Sequence, residues 1–324
     1  MISVIIVSFN TADLLKKCLT ALFETTAGMA LEVFVVDNAS RDNSVEMVRQ
    51  AFPQVELIEN RQNRGFAAAN NQAWQRSRGD YVLLLNPDAF VKSRAVTNAV
   101  AFMQAHPGCG LCGGRLVKPD GSLDPSARRF PNAINKLFTI SGLRSRFPNS
   151  QLFSHHEFGN FDHKQTLEVD WVPGTFTLYR REMLLQTGLF DERYFVYYEE
   201  TDLCRSAKKL GWQVCFIPDA EVIHVGGACS KTLKEHSYDR AASQVLTFRL
   251  RSEWLYFRKN NGLGAVLANA GVEVGWHLVR CLINLLPGRR DGGHKAAASQ
   301  AMIREIGRSL RDTRLGLLSP PAPW

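Results

Sequence analysis

Asp88 sits where a buried strand gives out. Residues 81–85, Tyr-Val-Leu-Leu-Leu, carry no charge and read as a strand covered on both faces of a parallel sheet. Pro87 cannot donate to a sheet ladder and pushes Asn86 towards an extended conformation, so Asn86-Pro87 is a strand exit with Asp88 just beyond the sheet edge. A carboxylate held there suits a divalent cation escorting a phosphate, because hard cations take oxygen ligands. A second run able to do chemistry is Glu199-Glu200-Thr201-Asp202, three carboxylates opening a helix. They complement the positive end of the helix dipole, and equally well supply a general base, since acids crowded beside a water-poor cleft have raised pKa values. The third group is His224, at a strand end before Val225-Gly226-Gly227. It is either a hydrogen-bonded structural residue or a ligand that approaches a cation held by Asp88.

The elements that must position these groups alternate in type. Residues 3–8 are an apolar strand with an exit at Phe9-Asn10, Thr11 can cap the next helix, and Leu14, Leu15, Cys18, Leu19 and Leu22 follow at helical spacing. Strand 32–36 ends in Asp37-Asn38-Ala39-Ser40, and helix 44–52 and strand 55–59 lead to residues 60–66, Asn-Arg-Gln-Asn-Arg-Gly-Phe. A helix through Ala67, Asn70, Ala73 and Trp74 runs to Gly79, where the strand before Asp88 begins. Four βα units within about ninety residues predict a doubly wound parallel sheet, whose carboxyl edge binds ligands.

Neither G-x-G-x-x-G nor a glycine-rich loop ending in Gly-Lys-Ser/Thr follows the first strand, so dinucleotide binding and nucleoside triphosphate hydrolysis lose their motifs. Instead, three strand exits carry Ser8 with Asn10, Asp37-Asn38, and Asn63-Arg64-Gly65. These groups can bind a base, a ribose and a phosphate, or simply make βα turns. Further on, a helix over 93–105, a short strand over 110–114 and a hairpin tip at Pro119-Asp120-Gly121 precede residues 125–168. That stretch is rich in Arg, Pro, Ser and His with little periodicity, and reads as a long excursion over the active edge. Residues 169–179 are strand-like around Pro173-Gly174, 181–187 form a short helix, a helix from Tyr197 runs to Leu210, and strand 213–217 leads to 220–224.

Of 324 residues, the first 224 balance their charges, while residues 225–324 hold 15 Lys and Arg against 7 Asp and Glu and account for the whole +8. Such a basic region suits nucleic acid, anionic lipid or a polyanionic substrate, and no recognised nucleic-acid motif accompanies it. Seven scattered cysteines fit reduced thiols in a cytoplasmic protein, with the lone Cys109-x-x-Cys112 as two apolar fillers. A first strand entered at Ile2 predicts no signal peptide, and no run of 18 uncharged apolar residues predicts a spanning helix. Residues 233–259 mix Arg240, Arg249, Arg251, Arg258 and Lys259 with apolar and aromatic residues. Residues 262–286 are apolar but interrupted by Glu273, His277 and Arg280, which suits an amphipathic helix at a membrane surface. Packing on the catalytic domain or in a homodimer is the alternative. After Arg289, Arg290 and Lys295 comes an Arg-rich helix over 297–313 and a Pro-rich end. The favoured reading is peripheral attachment to anionic lipid on the inner face of the cytoplasmic membrane.

In one order from residue 2 to about 230, the segments 4–10, 35–40, 63–67 with Asn70, 85–89, 188–192, 198–203 and 224–227 together resemble the family 2 glycosyltransferases, within them the rhamnosyltransferase-like branch that extends bacterial cell-surface glycans. The resemblance implies a GT-A fold over 1–230, an α/β architecture with a mostly parallel sheet flanked by helices, and a basic helical extension over 231–324. It implies inverting transfer from a nucleoside-diphosphate sugar, with dTDP, UDP or GDP as the nucleotide, to a glycan or lipid-linked acceptor. Asp37 would hold base or ribose, with Ser8, Asn10, Asn38, Asn63, Gly65, Phe66, Asn70 and Asn86 around the nucleotide. Asp88 would meet a Mg²⁺ or Mn²⁺ ion on the diphosphate, joined by His224, and Trp171 and Gly174 would face the sugars. Glu200 stands where the family has the Asp of its Glu-Asp base motif, beside Glu199 and Asp202, so the base lies between Glu200 and Asp202. Asn86-Pro87-Asp88 replaces the wider superfamily's Asp-x-Asp, leaving one carboxylate and a metal carried partly by the diphosphate. The rival readings are a sugar nucleotidyltransferase, which wants a glycine-rich loop with Lys or Arg after the first strand, and a non-catalytic carbohydrate- or nucleic-acid-binding protein, which needs no carboxylate cluster.

Overall fold

In the computed structural model, Ile2–Ser8 (β1) is buried along its whole length, and Leu31–Asp37 (β2), Glu56–Glu59 (β3) and Tyr81–Leu85 (β4) run parallel with it in the order β3-β2-β1-β4. Helices Ala12–Thr25 (α1), Ser44–Ala51 (α2) and Phe66–Trp74 (α3) make the crossovers. Both faces of β1 are therefore covered, which is why its sequence is apolar without alternation. The structure describes residues 1–226, 238–287 and 291–320. Gly227, Arg289, Arg290, the side chain of Arg240 and the last residues of the Pro-rich end lie outside the described residues.

Beyond β4 the sheet becomes mixed. Ala89–Val91 (β5), Ala95–Ala105 (α4), Cys109–Val117 (β6), Leu123–Asp124 (β7) and Leu167–Glu168 (β8) precede Phe176–Arg180 (β9), Arg181–Thr187 (α7), Glu199–Lys209 (α8) and Gln213–His224 (β10). The path continues β4-β9-β6-β10-β5, with β9 antiparallel to β4 and to β6, β10 parallel to β6, and β5 antiparallel to β10. Pro119-Asp120-Gly121 does form the tip of the β6–β7 hairpin, where Lys118 N–H donates to the Ser122 carbonyl at 2.8 Å. Cys109, Cys112 and Cys215 are buried free thiols in the core strands.

Several local expectations change. Thr11 does not cap α1, because its hydroxyl pairs with that of Ser8 at 2.9 Å. The helix expected to reach Gly79 stops at Trp74, and a Cβ on Gly79 would come within 2.5 Å of the Ser3 nitrogen. β10 runs unbroken past Pro218, which a register irregularity between Ile217 and Glu221 accommodates. The 125–168 stretch carries helices of its own, Ala133–Ile140 (α5) and Leu143–Arg146 (α6); Asn132 caps the first by accepting from Asn135 N–H at 2.9 Å.

The chain divides into two compact units, Met1–Arg128 with Asp162–Ala242, and Arg129–Phe161 with Ser243–Trp324. The second contains α5, α6, all but the first five residues of a helical stretch Tyr238–Leu285 (α9) broken at Gly262 (φ 82°, ψ −178°), and Gly292–Asp312 (α10). Its interior holds charges. Lys136 of α5 pairs with Glu253 at 2.9 Å and with Glu273, and Arg249 reaches both carboxylates at 3.2 and 3.3 Å. The Lys136 ammonium also lies 4.7 Å from the ring centroid of Trp254, whose indole N–H donates to Ser309 at 2.8 Å. Burial alone would raise the Glu273 carboxyl, but Lys136 and Arg249 outweigh it and hold it below the ordinary value.

Removing one partner of a buried ion pair leaves uncompensated charge, so Lys136→Met is expected to destabilise the second unit by about 3–5 kcal/mol in neutral urea titrations. A depressed carboxyl contributes stability above its unfolded pKa and loses it as pH falls through the folded one. The wild-type advantage over Lys136→Met therefore shrinks on acidification below about pH 4.3.

Candidate active site

The strand exits of the first unit meet through hydrogen bonds that fix their loops. Asn38, buried at the end of β2, accepts from Asn60 Nδ2 at 3.0 Å and from Arg64 N–H at 3.1 Å, and donates through Nδ2 to the Gly65 carbonyl at 3.1 Å. Its amide is thus occupied in clamping the 60–65 loop onto β2. Asn10, in the left-handed region at φ 54°, accepts from Arg41 N–H at 2.7 Å, while its own N–H donates to Ser40 Oγ. Asn63 accepts from Gly65 N–H at 2.9 Å, and the buried Asn70 donates to the Phe66 carbonyl at 2.9 Å. Asp37 differs from these. It is 3% exposed, one carboxylate oxygen accepts from Ser40 N–H at 2.9 Å, and the other, equally buried, has no partner. A buried acceptor without a donor is costly unless something else supplies the hydrogen bond.

Gly65 must be glycine. Its φ is +84°, and a Cβ there would lie 2.5 Å from the Phe195 carbonyl oxygen. That close approach lets Phe66 N–H donate to the same carbonyl at 2.7 Å, and Asn71 locks the contact by exchanging hydrogen bonds with the Phe190 backbone at 2.9 and 3.1 Å. A Cβ on Gly174 would lie 3.9 Å from the Phe66 ring, and the Thr175 carbonyl accepts from Asn86 N–H at 2.9 Å. So Asn86, Gly174, Phe66 and the turn before α8 are stitched in series. Trp171 is half-buried and bridges to Arg128 through its backbone, with the Arg128 guanidinium 6.0 Å from its ring.

Asp88 and His224 converge, although 136 positions separate them. β5 and β10 pair with Ala89 opposite His224, which brings His224 Nε2 to 3.8 Å from the Asp88 carboxylate. On the other side of the imidazole, Nδ1 lies 2.9 Å from Asp124 on β7. The His224 hydrogen bond, resisted by burial, holds the Asp124 carboxyl below its usual range, so Asp124 is the acceptor and Nδ1–H the donor. On its other side the ring turns Nε2 towards Asp88 across a gap too long for a hydrogen bond. A carboxylate facing an imidazole that a second carboxylate orients from behind could hold a metal ion. Among the described residues no group of three or more His, Cys, Asp or Glu could hold a metal ion by itself, so a cation here needs oxygens from its ligand. Asp124 escaped the sequence reading because a Leu-Asp pair after a turn has no signal and its partner lies 100 residues on.

The carboxylates stand as expected in the first turn of α8, but the helix starts at Glu199 rather than Tyr197. Tyr197 and Tyr198 both occupy the left-handed region, at φ 71° and 69°. Two consecutive strained residues are held there by the stitched turn, as functional sites commonly require. Burial pushes Glu199 well above the ordinary carboxyl range, reinforced by the charge of Glu200; burial also raises Glu200, against a hydrogen bond from Glu199 that favours its ionised form. Each keeps one buried carboxyl oxygen without a partner. Asp202 is buried beside them. The helix packs on β10, the strand that carries His224.

Residues 3–187 match the family model described as Glycosyl transferase family 2. The N-acetylglucosaminyl-diphospho-decaprenol L-rhamnosyltransferase of Mycobacterium tuberculosis is 27% identical over 268 residues, covering 79% of this chain and 83% of that protein. Rhamnosyltransferase WbbL of Escherichia coli K12 is 25% identical over 80% of this chain and 93% of its own. Among solved structures, mannosyltransferase PcManGT from Pyrobaculum calidifontis, in complex with GDP-Man and Mn²⁺, aligns at TM-score 0.50 and 17% identity over 98% of this chain and 86% of that one. S. aureus TarS 1-349 aligns at TM-score 0.50 and 17% identity over 97% and 91%. At such identities the structural likeness bears on the fold, which is GT-A: a mixed, mostly parallel sheet flanked by helices. The family model spans more than half of the chain, and two relatives matched over 79% and 80% of it are rhamnosyltransferases; this protein belongs to glycosyl transferase family 2 and is a glycosyltransferase of the rhamnosyltransferase-like kind.

Proposed function

We propose that the chain catalyses inverting, metal-dependent transfer of a hexose, L-rhamnose favoured, from a nucleoside-diphosphate sugar to a glycan or lipid-linked glycan acceptor in bacterial cell-surface polysaccharide synthesis. The observation that carries this reading is the pairing of Asp88 with His224, the latter oriented by Asp124. In support, two full-length relatives are named as rhamnosyltransferases, one for a lipid-linked acceptor. The chemistry is assigned to the first unit, within residues 1–230, with 231–324 as the basic helical extension; residues 129–161 of the 125–168 stretch expected on the acceptor side group with that extension instead.

Asp88 and His224 would hold the cation, Mg²⁺ or Mn²⁺, together with diphosphate oxygens of a UDP-, dTDP- or GDP-sugar. When bound, such an ion neutralises charge gathering on the leaving diphosphate. The unpartnered oxygen of Asp37 accepts an N–H of the base or a ribose hydroxyl, inside loops already clamped by Asn38. Glu200 takes the proton of the acceptor hydroxyl, Asp202 being the second candidate. The acceptor oxygen forms its bond to the anomeric carbon on the face opposite the diphosphate, which leaves with the electron pair of the broken bond, so the configuration inverts.

Glu200→Gln is expected to lower kcat by about 10²–10⁴ with donor binding retained; wild-type turnover in the purified variant would remove Glu200 from the base role. Because the base works ionised and burial raises the Glu199–Glu200 pair, the acid limb of kcat against pH lies above the ordinary Glu value of about 4.3. Glu199→Ala, which deletes the hydrogen bond favouring ionised Glu200, moves that limb higher still. Mn²⁺ titration of the UDP complex by electron paramagnetic resonance reads the metal site: Asp88→Asn abolishes tight binding, and Asp124→Asn weakens it about 10–100-fold. Thermal shifts and transfer assays with UDP-, dTDP- and GDP-sugars identify the donor.

A further inference from the structure

The helix after Gly262 is built inside out. Between residues 263 and 286 its buried positions include Asn269, Glu273 and His277, while every exposed one is Leu, Val, Ile, Ala or Gly. Leu267, Leu278, Leu282 and Leu285 are more than half exposed, with Leu282 at 68%. The imbalance extends through the unit: 15 of the 19 large hydrophobic residues exposed among the described residues lie in Arg129–Phe161 and Ser243–Trp324. A contiguous exposed apolar face of this kind marks an interaction surface.

We propose that this face seats on an anionic lipid bilayer, with the helix lying in the plane of the interface. Its exposed side chains offer no hydrogen-bond donor or acceptor and no aromatic ring, whereas protein interfaces carry about one hydrogen bond per 100–200 Å² and are enriched in aromatic residues. Hydrocarbon asks for neither. The charges of the neighbouring helix complete the match. On α10 and at its ends, Lys295, Arg304, Arg308, Arg311 and Arg314 are exposed against one exposed acid, Asp291, while Glu305 bonds Thr247 at 2.5 Å and Asp312 pairs with Arg251 at 2.6 Å and with Arg308 at 3.9 Å. Cations beside an apolar helical face are what anionic headgroups attract.

By length and composition the stretch Gln244–Leu285 could cross a membrane. The charged side of the helix decides against it. Glu273 is 1% exposed and ion-paired with Lys136 and Arg249, so only one face of the helix is available to lipid. The inference concerns the second unit and does not rest on the transfer reaction.

The test is flotation of the full chain with vesicles of phosphatidylcholine alone or mixed with phosphatidylglycerol. Binding is expected to the mixed vesicles and to fall about fivefold for each cation removed in Arg304→Gln, Arg308→Gln and Arg311→Gln. Leu282→Asp with Ile283→Asp is expected to abolish it, with circular dichroism and the thermal shift by UDP unchanged. Should that variant not fold, Leu282→Cys in a Cys229→Ser background, carrying an environment-sensitive fluorophore, decides, since the six described cysteines are buried. A blue shift on adding the mixed vesicles upholds the proposal, and an unchanged spectrum overturns it. Failure to float, or a dimer in light scattering that Leu282→Asp dissolves without any vesicle binding, also overturns it and assigns the face to a second copy.

Discussion

The catalytic unit depends on the pairing of one five-residue strand. β9 runs antiparallel to β4 on one side and to β6 on the other, and so joins the parallel half of the sheet to the mixed half. Asp88 leaves the first half and His224 ends a strand of the second; the β5–β10 pairing sets the distance between them, and β9 joins the two halves of the sheet on which that pairing is built. Leu178 and Tyr179 are completely buried, and the Arg180 guanidinium donates to the carbonyls of Met103, His106 and Cys109, which ties β9 to the turn entering β6. The Tyr179 hydroxyl is pushed far up by burial, with Cys204 and the Glu200 and Glu199 carboxyls adding to it, so the acidic end of α8 also lies against this strand.

The parallel half was legible because its code is local. Tyr81–Leu85 and Arg181–Thr187 stand where apolar runs and a following glycine put them. β5 was not, since three residues beyond a proline carry too little pattern, and its pairing with β10 is a tertiary event. The helices inside 125–168 were missed because eight residues hold barely two turns of periodicity. The places of Asp88 just past a strand, of His224 at a strand end and of the acidic run in a helix's first turn were readable from residue type and position. Asp124, Asn60 and Asn71 were not, because each matters only through a partner that the fold brings near. Asn38, expected beside the nucleotide, turns its side chain to the protein instead.

The second unit obeys a different balance. Buried ion pairs commonly stabilise no better than apolar residues of the same shape, and their removal one at a time is what harms. Here Lys136, Glu253 and Glu273 occupy an interior that leucines would ordinarily fill, with the partly exposed Arg249 pairing to both carboxylates, while leucines occupy the outside. Such a distribution fixes which side of the helix after Gly262 faces the protein, because rotating it would strand the Glu273 carboxylate against no counter-charge.

Asn38 already immobilises the 60–65 loop through three bonds to Asn60, Arg64 and Gly65. Ordering that loop is therefore part of folding, and a nucleotide bound there as proposed would meet a mould of fixed shape instead of recruiting one. Discrimination among bases then becomes a property of the whole clamped frame. Evolution towards another nucleotide would have to move the frame as a unit, since exchanging one lining side chain leaves the mould's dimensions unchanged.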